Sequence, residues 1–209
     1  MNQALSPIST PTLHFDIFVC GGGPAGICAA IAAAEAGRRT LLVEATGRLG
    51  GSGVNAMVNQ IRCWTDTPYV QRFLERLGRN IDDSEFLDLR YADLVQEAGA
   101  EILLHATVDE TLLQSATGSG QRPTVIGVRL ATAAGPLTVE AERVIDASGD
   151  GIVAFLAGAA FECGRPQDGL MQPATIMFRV SGVDHPASME ARGGRGANGY
   201  RFPDGSSWD

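Results

Sequence analysis

The chain has 209 residues, 44% apolar and 19% charged, enough to bury a full core as one domain or one plus part of another. A formal net charge of −8 argues against nucleic acid as a partner, because affinity for a phosphate backbone comes from clustered cations. All 16 basic residues are arginine, so Schiff-base chemistry, a lysine nucleophile and a P-loop lysine are excluded within this chain.

Residues 1–14 read as a flexible N-terminal tail, with no Lys or Arg to form the positive start of a signal peptide. Residues 17–34 are an uncharged run of 18, just long enough to cross a bilayer as a helix. Gly21, Gly22, Gly23, Pro24 and Gly26 interrupt that run, and such a cluster breaks the backbone hydrogen bonding that lipid demands. No membrane span is expected.

Residues 15–20 (FDIFVC) read instead as a buried parallel strand that ends at the glycines. Gly21, Gly23 and Gly26 then give G-x-G-x-x-G, in which each glycine has a separate task. Gly21 permits the sharp turn, Gly23 lets a pyrophosphate approach the backbone, and Gly26 lets the following helix press on the strand. Pro24 and Ala25 open that helix, expected over 24–36 with its alanines against the sheet and Gly37 as its stop. A second strand is expected over 40–43. Glu44 ends it, where a carboxylate can accept hydrogen bonds from both hydroxyls of an adenosine ribose. Gly194, Gly196 and Gly199 repeat the glycine pattern with no strand before them, which reads as a loop.

Further along, Thr67 caps a helix over 68–77 that Gly78 stops, and a second helix is expected over 84–98. Each carries one apolar stripe, which reads as core packing. Residues 102–104 return as a sheet strand. Three β-rich runs follow near 107–114, 124–131 and 136–142, separated by the turn-rich TGSGQRP and TAAG. Residues 144–150 (VIDASGD) read as a late strand and its turn. Cys20, Cys28, Cys63 and Cys163 are too far apart for a CxxC pair and have no histidine at zinc-ligand spacing. They are expected to be inert thiols in a reducing cytosol, with no metal site. His14, His105 and His185 are isolated, and Arg62 and Arg179 are candidates to meet an anionic substrate or a ring carbonyl.

Glu44, Ala45 and the doublet Gly50-Gly51 complete the pattern E-x-x-x-x-x-G-G, for which a simple NAD dehydrogenase has no need. The combination resembles the FAD-binding domain of the flavoprotein superfamily that includes fumarate reductase and glutathione reductase. Ala147-Ser148-Gly149 resembles its Ala-Thr-Gly strand end, with Asp150 as the acid near the cofactor, and the three β-rich runs resemble its three-stranded β-meander. The resemblance implies that Gly50, Gly51 and Ser52 lie beside the pyrophosphate and ribityl chain and that Val108 offers backbone hydrogen bonds to adenine. Gly53 and Val58 stand where the disulfide reductases carry their redox cysteines, so that chemistry is not expected. Together with residues 144–165 and MQPATIMFRVSGVD at 171–184, these motifs resemble most closely the family called FAD-dependent oxidoreductase, related to the fumarate reductase flavoproteins.

The expected fold is therefore α/β: a Rossmann-like FAD/NAD(P)-binding domain over 15–182, a parallel sheet with helices and a β-meander crossover. Residues 46–83 are an inserted loop and helix region, and 183–209 are the incomplete start of a substrate domain or a disordered tail. The implied function is that of a cytoplasmic FAD-dependent oxidoreductase, or its N-terminal part, moving a hydride between a small-molecule substrate and flavin N5. It would act with a missing C-terminal half or as a homo-oligomer. An NAD(P)-binding dehydrogenase and a non-catalytic dinucleotide-binding module are the alternatives.

Overall fold

The computed structural model describes residues 10–58, 67–78, 83–115, 122–178 and 182. Its contact pattern divides the chain after Thr175, and everything below concerns the first unit. Strand β1 (Thr12–Cys20) lies between β2 (Thr40–Val43) and β6 (Gly135–Asp146), parallel to both. Strand β3 (Glu101–Leu103) extends the parallel set beside β2, while β4 (Ala106–Gln114) and β5 (Thr124–Thr132) continue antiparallel from β6. The order across the ladder is β3-β2-β1-β6-β5-β4.

Strands β3 and β4 are the two outermost of the six, yet only residues 104 and 105 join them. A flat sheet would separate its edges by five spacings, roughly 24 Å, whereas so short a link reaches about 10 Å. The ladder must therefore curl, folding the β4-β5-β6 meander back over one face of the parallel strands. The core confirms this. Phe18, Cys20, Leu41 and Val43 share one apolar cluster with Ala106, Val108, Val128, Leu130 and Val139 of the meander.

The alternation of side chains along a strand sends the intervening residues the other way. Val19 and Leu42 join the second cluster, which holds α1 (Pro24–Glu35), α2 (Pro68–Leu77) and α3 (Ser84–Glu97). A strand buried on both faces has no polar side to show, hence the unbroken apolar reading of FDIFVC. Helix α1 lies on the sheet through Gly26, Ile27, Ala30 and Ile31, spaced as one helical face. Of its alanines only Ala30 is fully buried, and Ala32 is exposed, so two isoleucines rather than an alanine surface carry the packing. Phe73 of α2 stacks on Tyr91 of α3 at 6.4 Å, completing the core packing expected of those two helices.

The helix at 84–98 and the runs at 102–104, 107–114 and 124–131 fall within one residue of the observed α3, β3, β4 and β5, and three further boundaries differ from the sequence reading. Strand β1 starts at Thr12 rather than 15, so residues 12–14 are not tail; they pair with Thr138, Val139 and Glu140. The runs at 136–142 and 144–146 are one strand, because no glycine or proline separates them. That continuity lets β6 belong to the meander at one end and to the parallel sheet at the other. Helix α1 ends at Glu35, with Ala36 as C-cap and Gly37 in the left-handed conformation at φ +77°. The caps fall as expected, Thr67 accepting from the Val70 amide and Gly78 closing α2. Among the described residues no helix is long and apolar enough to cross a membrane. The second glycine pattern at 194–199 lies outside the described residues.

Candidate functional site

At the carboxyl end of β1 the chain turns through 21–23 into α1, between strands whose connections run in opposite directions, the usual position of a ligand crevice in such sheets. Gly21 sits at φ +104°, donates its N–H to Val43 O at 2.8 Å, and lies so close to the next strand that an added β-carbon would be 2.4 Å from Ala147 O. At Gly26 an added β-carbon would fall 1.8 Å from Gly21 O. Gly22, an unassigned position of the motif, is as constrained. A β-carbon there would meet Leu49 at 2.6 Å and Glu44 at 3.0 Å.

Gly23 differs from all three. Its backbone, at φ −74° and ψ 174°, suits any residue, and an added β-carbon would meet no described residue nearer than Gly51 Cα at 3.9 Å. The fold does not require glycine at this position, whereas a ligand pressed against the main chain does.

The helix that starts here is left open at its positive end. Gly23 is the N-cap without a side chain, Pro24 has no N–H, and no acidic residue lies in the first turn. The first bond of the helix is Ile27 N–H to Gly23 O at 2.9 Å, and no described residue accepts from the N–H of Gly23, Ala25 or Gly26. Pro24 and Ala25 are exposed. Amides with no described partner, together with the helix dipole, are what an anion requires of a binding site.

Glu44 is buried at the end of β2, and its carboxylate serves the turn itself. Oε2 accepts from the Gly22 amide at 2.7 Å and Oε1 from the Thr46 amide at 2.8 Å. Each oxygen keeps a second lone pair for a ribose hydroxyl. Ala45 is exposed beside it. The chain then returns to the turn: Gly50 N–H donates to Gly22 O at 2.7 Å, and a β-carbon on Gly51 (φ +53°) would be 3.0 Å from Gly23 Cα. The doublet is thus packed directly onto the first glycine motif. Asp88 of α3 holds this loop from behind, accepting from Leu49 N–H at 2.9 Å and Arg48 Nε at 3.0 Å. Ser52 follows in a 3₁₀ turn at Gly51–Gly53, exposed, its carbonyl accepting from Val58 N–H.

The third motif abuts the same turn. Ala147 N–H donates to Cys20 O at 2.8 Å, and Ala147 is the residue that Gly21 and Gly26 nearly touch. Here a residue outside the expected set governs the geometry. Asp146 accepts from the Ser148 amide and hydroxyl through Oδ1 and from the Ala154 amide through Oδ2 at 2.9 Å; the Ser148 hydroxyl accepts from Ile152 N–H at 3.0 Å. Burial pushes the Asp146 carboxyl up, but the hydrogen bonds from Ala154, Ser148 and Val153 outweigh it and hold the group below its ordinary value. An aspartate two residues before a serine is an Asx-turn signal, the only trace of this role in the sequence. Gly149 and Asp150 are exposed, and Asp150 pairs with no described residue.

Val108 stands apart from this cluster. Its side chain is buried in the meander core opposite Leu130, so only its main chain is available to a ligand. The strand carrying it is tied to the site through Ala106 N–H, which donates to Glu44 O at 3.1 Å. Of the thiols, burial pushes Cys20 up to about 12, helped by the nearby Asp146 and Glu44 charges, and Cys28 up to about 11. Neither is a nucleophile near neutral pH. Arg62, Arg179, His185 and Cys63 lie outside the described residues.

A glycine at 23 that the fold does not need, three amides without a described partner, a second glycine turn packed beside them and a carboxylate at the end of β2 fit the diphosphate and ribose of a dinucleotide. The family model for FAD dependent oxidoreductase matches residues 16–204. The chain belongs to the FAD-dependent oxidoreductase family. FAD is that family's cofactor, which decides between the two dinucleotides. Thiamine thiazole synthase of Aeropyrum pernix is 31% identical over 152 residues, 66% of this chain and 55% of that protein. The mitochondrial dihydrolipoyl dehydrogenase of Schizosaccharomyces pombe is 27% identical over 151 residues, 68% of this chain and 29% of that protein. Among solved structures, THI4 of Thermovibrio ammonificans matches with a TM-score of 0.54 at 22% identity, covering 70% of this chain and 64% of that one, a likeness of fold. The chain spans about half the length of the thiazole synthase and less than a third of the dehydrogenase.

Proposed function

We propose that this chain forms the FAD-binding part of an oxidoreductase that moves a hydride between an organic small molecule and flavin N5. The observation that carries the reading is the open start of α1, uncapped and flanked by a glycine that the fold itself does not need. The N–H groups of Gly23, Ala25 and Gly26 hold the diphosphate, with the Gly50-Gly51 turn beside it. Glu44 accepts from the ribose while keeping the Gly22 and Thr46 amides in place. Ala45 and the Val108 main chain border the adenosine; Ser52 leads toward the ribityl chain, with Ala147, Ser148, Gly149 and Asp150 as the opposite wall. The flavin ring supplies the redox chemistry, and this chain orients it.

Thiol-disulfide exchange is not the reaction, despite the likeness to a dihydrolipoyl dehydrogenase, since Gly53 and Val58 replace the cysteine pair. Free Cys20, Cys28 and Cys163 suit a reducing cytosol.

An absorbance spectrum of the purified protein tests the reading. Flavin bands that survive desalting, bleach with a reductant and return with an acceptor are expected. Failure to take up FAD on incubation overturns it, and a bound flavin that can be neither reduced nor reoxidised favours a non-catalytic binding module.

A further inference from the structure

His105 is one of two described non-glycine residues with a left-handed backbone, at φ +55°. It forms half of the two-residue link between β3 and β4. Glycine adopts a left-handed backbone without strain, so a histidine at such a position points to a use for its ring. The ring has a prepared seat. A β-carbon on Gly47 would lie 2.7 Å from both Cε1 and Nε2 of the imidazole, and Gly47 does not itself have a left-handed backbone. A side chain at Gly47 would therefore displace the His105 ring.

Every anchor of this residue flanks the Glu44 carboxylate. His105 N–H donates to Thr46 O at 3.1 Å, the next amide donates to Glu44 O, and Thr46 N–H donates to Glu44 Oε1. The residue is otherwise exposed. We propose that the His105 imidazole, backed by Gly47, is an aromatic wall of the adenine pocket and contacts the purine ring of the cofactor. The proposal rests on Glu44 being the ribose acceptor, as above.

Two probes of the full chain separate the base from the phosphates: ADP and inorganic pyrophosphate. Stacking of a base on an aromatic side chain is strong enough that its loss reads as roughly a ten-fold change or more in affinity. His105→Asn, which tolerates the left-handed backbone, is expected to weaken ADP and FAD about ten-fold by calorimetry and to leave pyrophosphate unchanged, with an unaltered melting temperature. Gly47→Ala, which displaces the ring, should do the same. In proton NMR the His105 ring signals, identified by their loss in His105→Asn, should shift upfield when ADP saturates the protein and stay put with pyrophosphate. Wild-type affinity for ADP in His105→Asn, or ring signals that ignore ADP, overturns the proposal. A wild-type protein that binds neither ADP nor FAD instead overturns the cofactor reading beneath it.

Discussion

The chain leaves β1 and β6, neighbouring parallel strands, through two glycine-rich turns that each open a helix, α1 and α4 (Ile152–Leu156). The second turn supplies its own acceptors. Asp146 takes the Ala154 amide, Ser148 takes the Ile152 amide, and Asp146 holds Ser148 in turn. The first turn supplies none, and its one nearby acid, Glu44, spends its bonds on Gly22 and Thr46 rather than on the helix. Helices α2 and α3 are also capped by side chains, Thr67 and Asp83. A helix start left unsatisfied among three that are satisfied marks where an outside anion belongs. Both turns flank the candidate site; in the proposed function the first binds and the second supports.

Substitutions can break that contrast, beginning with the most damaging. Gly26→Ala sets a β-carbon against the backbone oxygen of Gly21, which cannot swing aside. The expected cost is about 3 kcal/mol or more, seen as a fall in melting temperature of about 6–12 °C for a chain this long, with FAD binding lost alongside. Asp146→Ala removes acceptors from three donors in the second turn. A loss of about 2 kcal/mol is expected, together with a smaller loss of FAD affinity than any obstruction of the first turn causes.

The Asp146 carboxyl titrates below its ordinary value of 3.8 in the folded chain, so its stabilisation is complete above that value and lost as pH falls through the lower folded one. Asp146→Asn should therefore remove part of the acid destabilisation below that point, read from melting curves at stepped pH. Ser148→Ala is the mildest, removing one cap at a cost of about 1 kcal/mol; a change in FAD affinity as large as its change in stability would blur the division between the two turns.

The binding turn was legible because glycine at a fixed place encodes a backbone need, and the Gly21, Gly26 and Gly51 contacts are those needs. The supporting turn was legible only in part. Serine, glycine and an acid at 148–150 resemble a motif, but an aspartate at a strand end gives no sign of how many amides it will accept. Glu44 was read as a ligand acceptor, while its bonds to Gly22 and Thr46 depend on a side-chain rotamer that spacing does not encode. His105 was read as isolated because its role depends on a left-handed backbone and on Gly47, which is 58 residues away in sequence and was read only as part of the E-x5-GG spacing. The curl of the sheet follows from the two-residue link between β3 and β4, whose place at the two edges only the strand order reveals.

The central claim is that Gly23 is glycine for the cofactor and not for the fold, and Gly23→Ala tests it most directly. Its β-carbon has 3.9 Å of clearance from the nearest described residue, so the melting temperature of the cofactor-free protein should match wild type within about 0.5 kcal/mol of stability. FAD titration of the same protein should show affinity reduced at least ten-fold. Wild-type FAD affinity in Gly23→Ala, with the fold intact, would contradict the account.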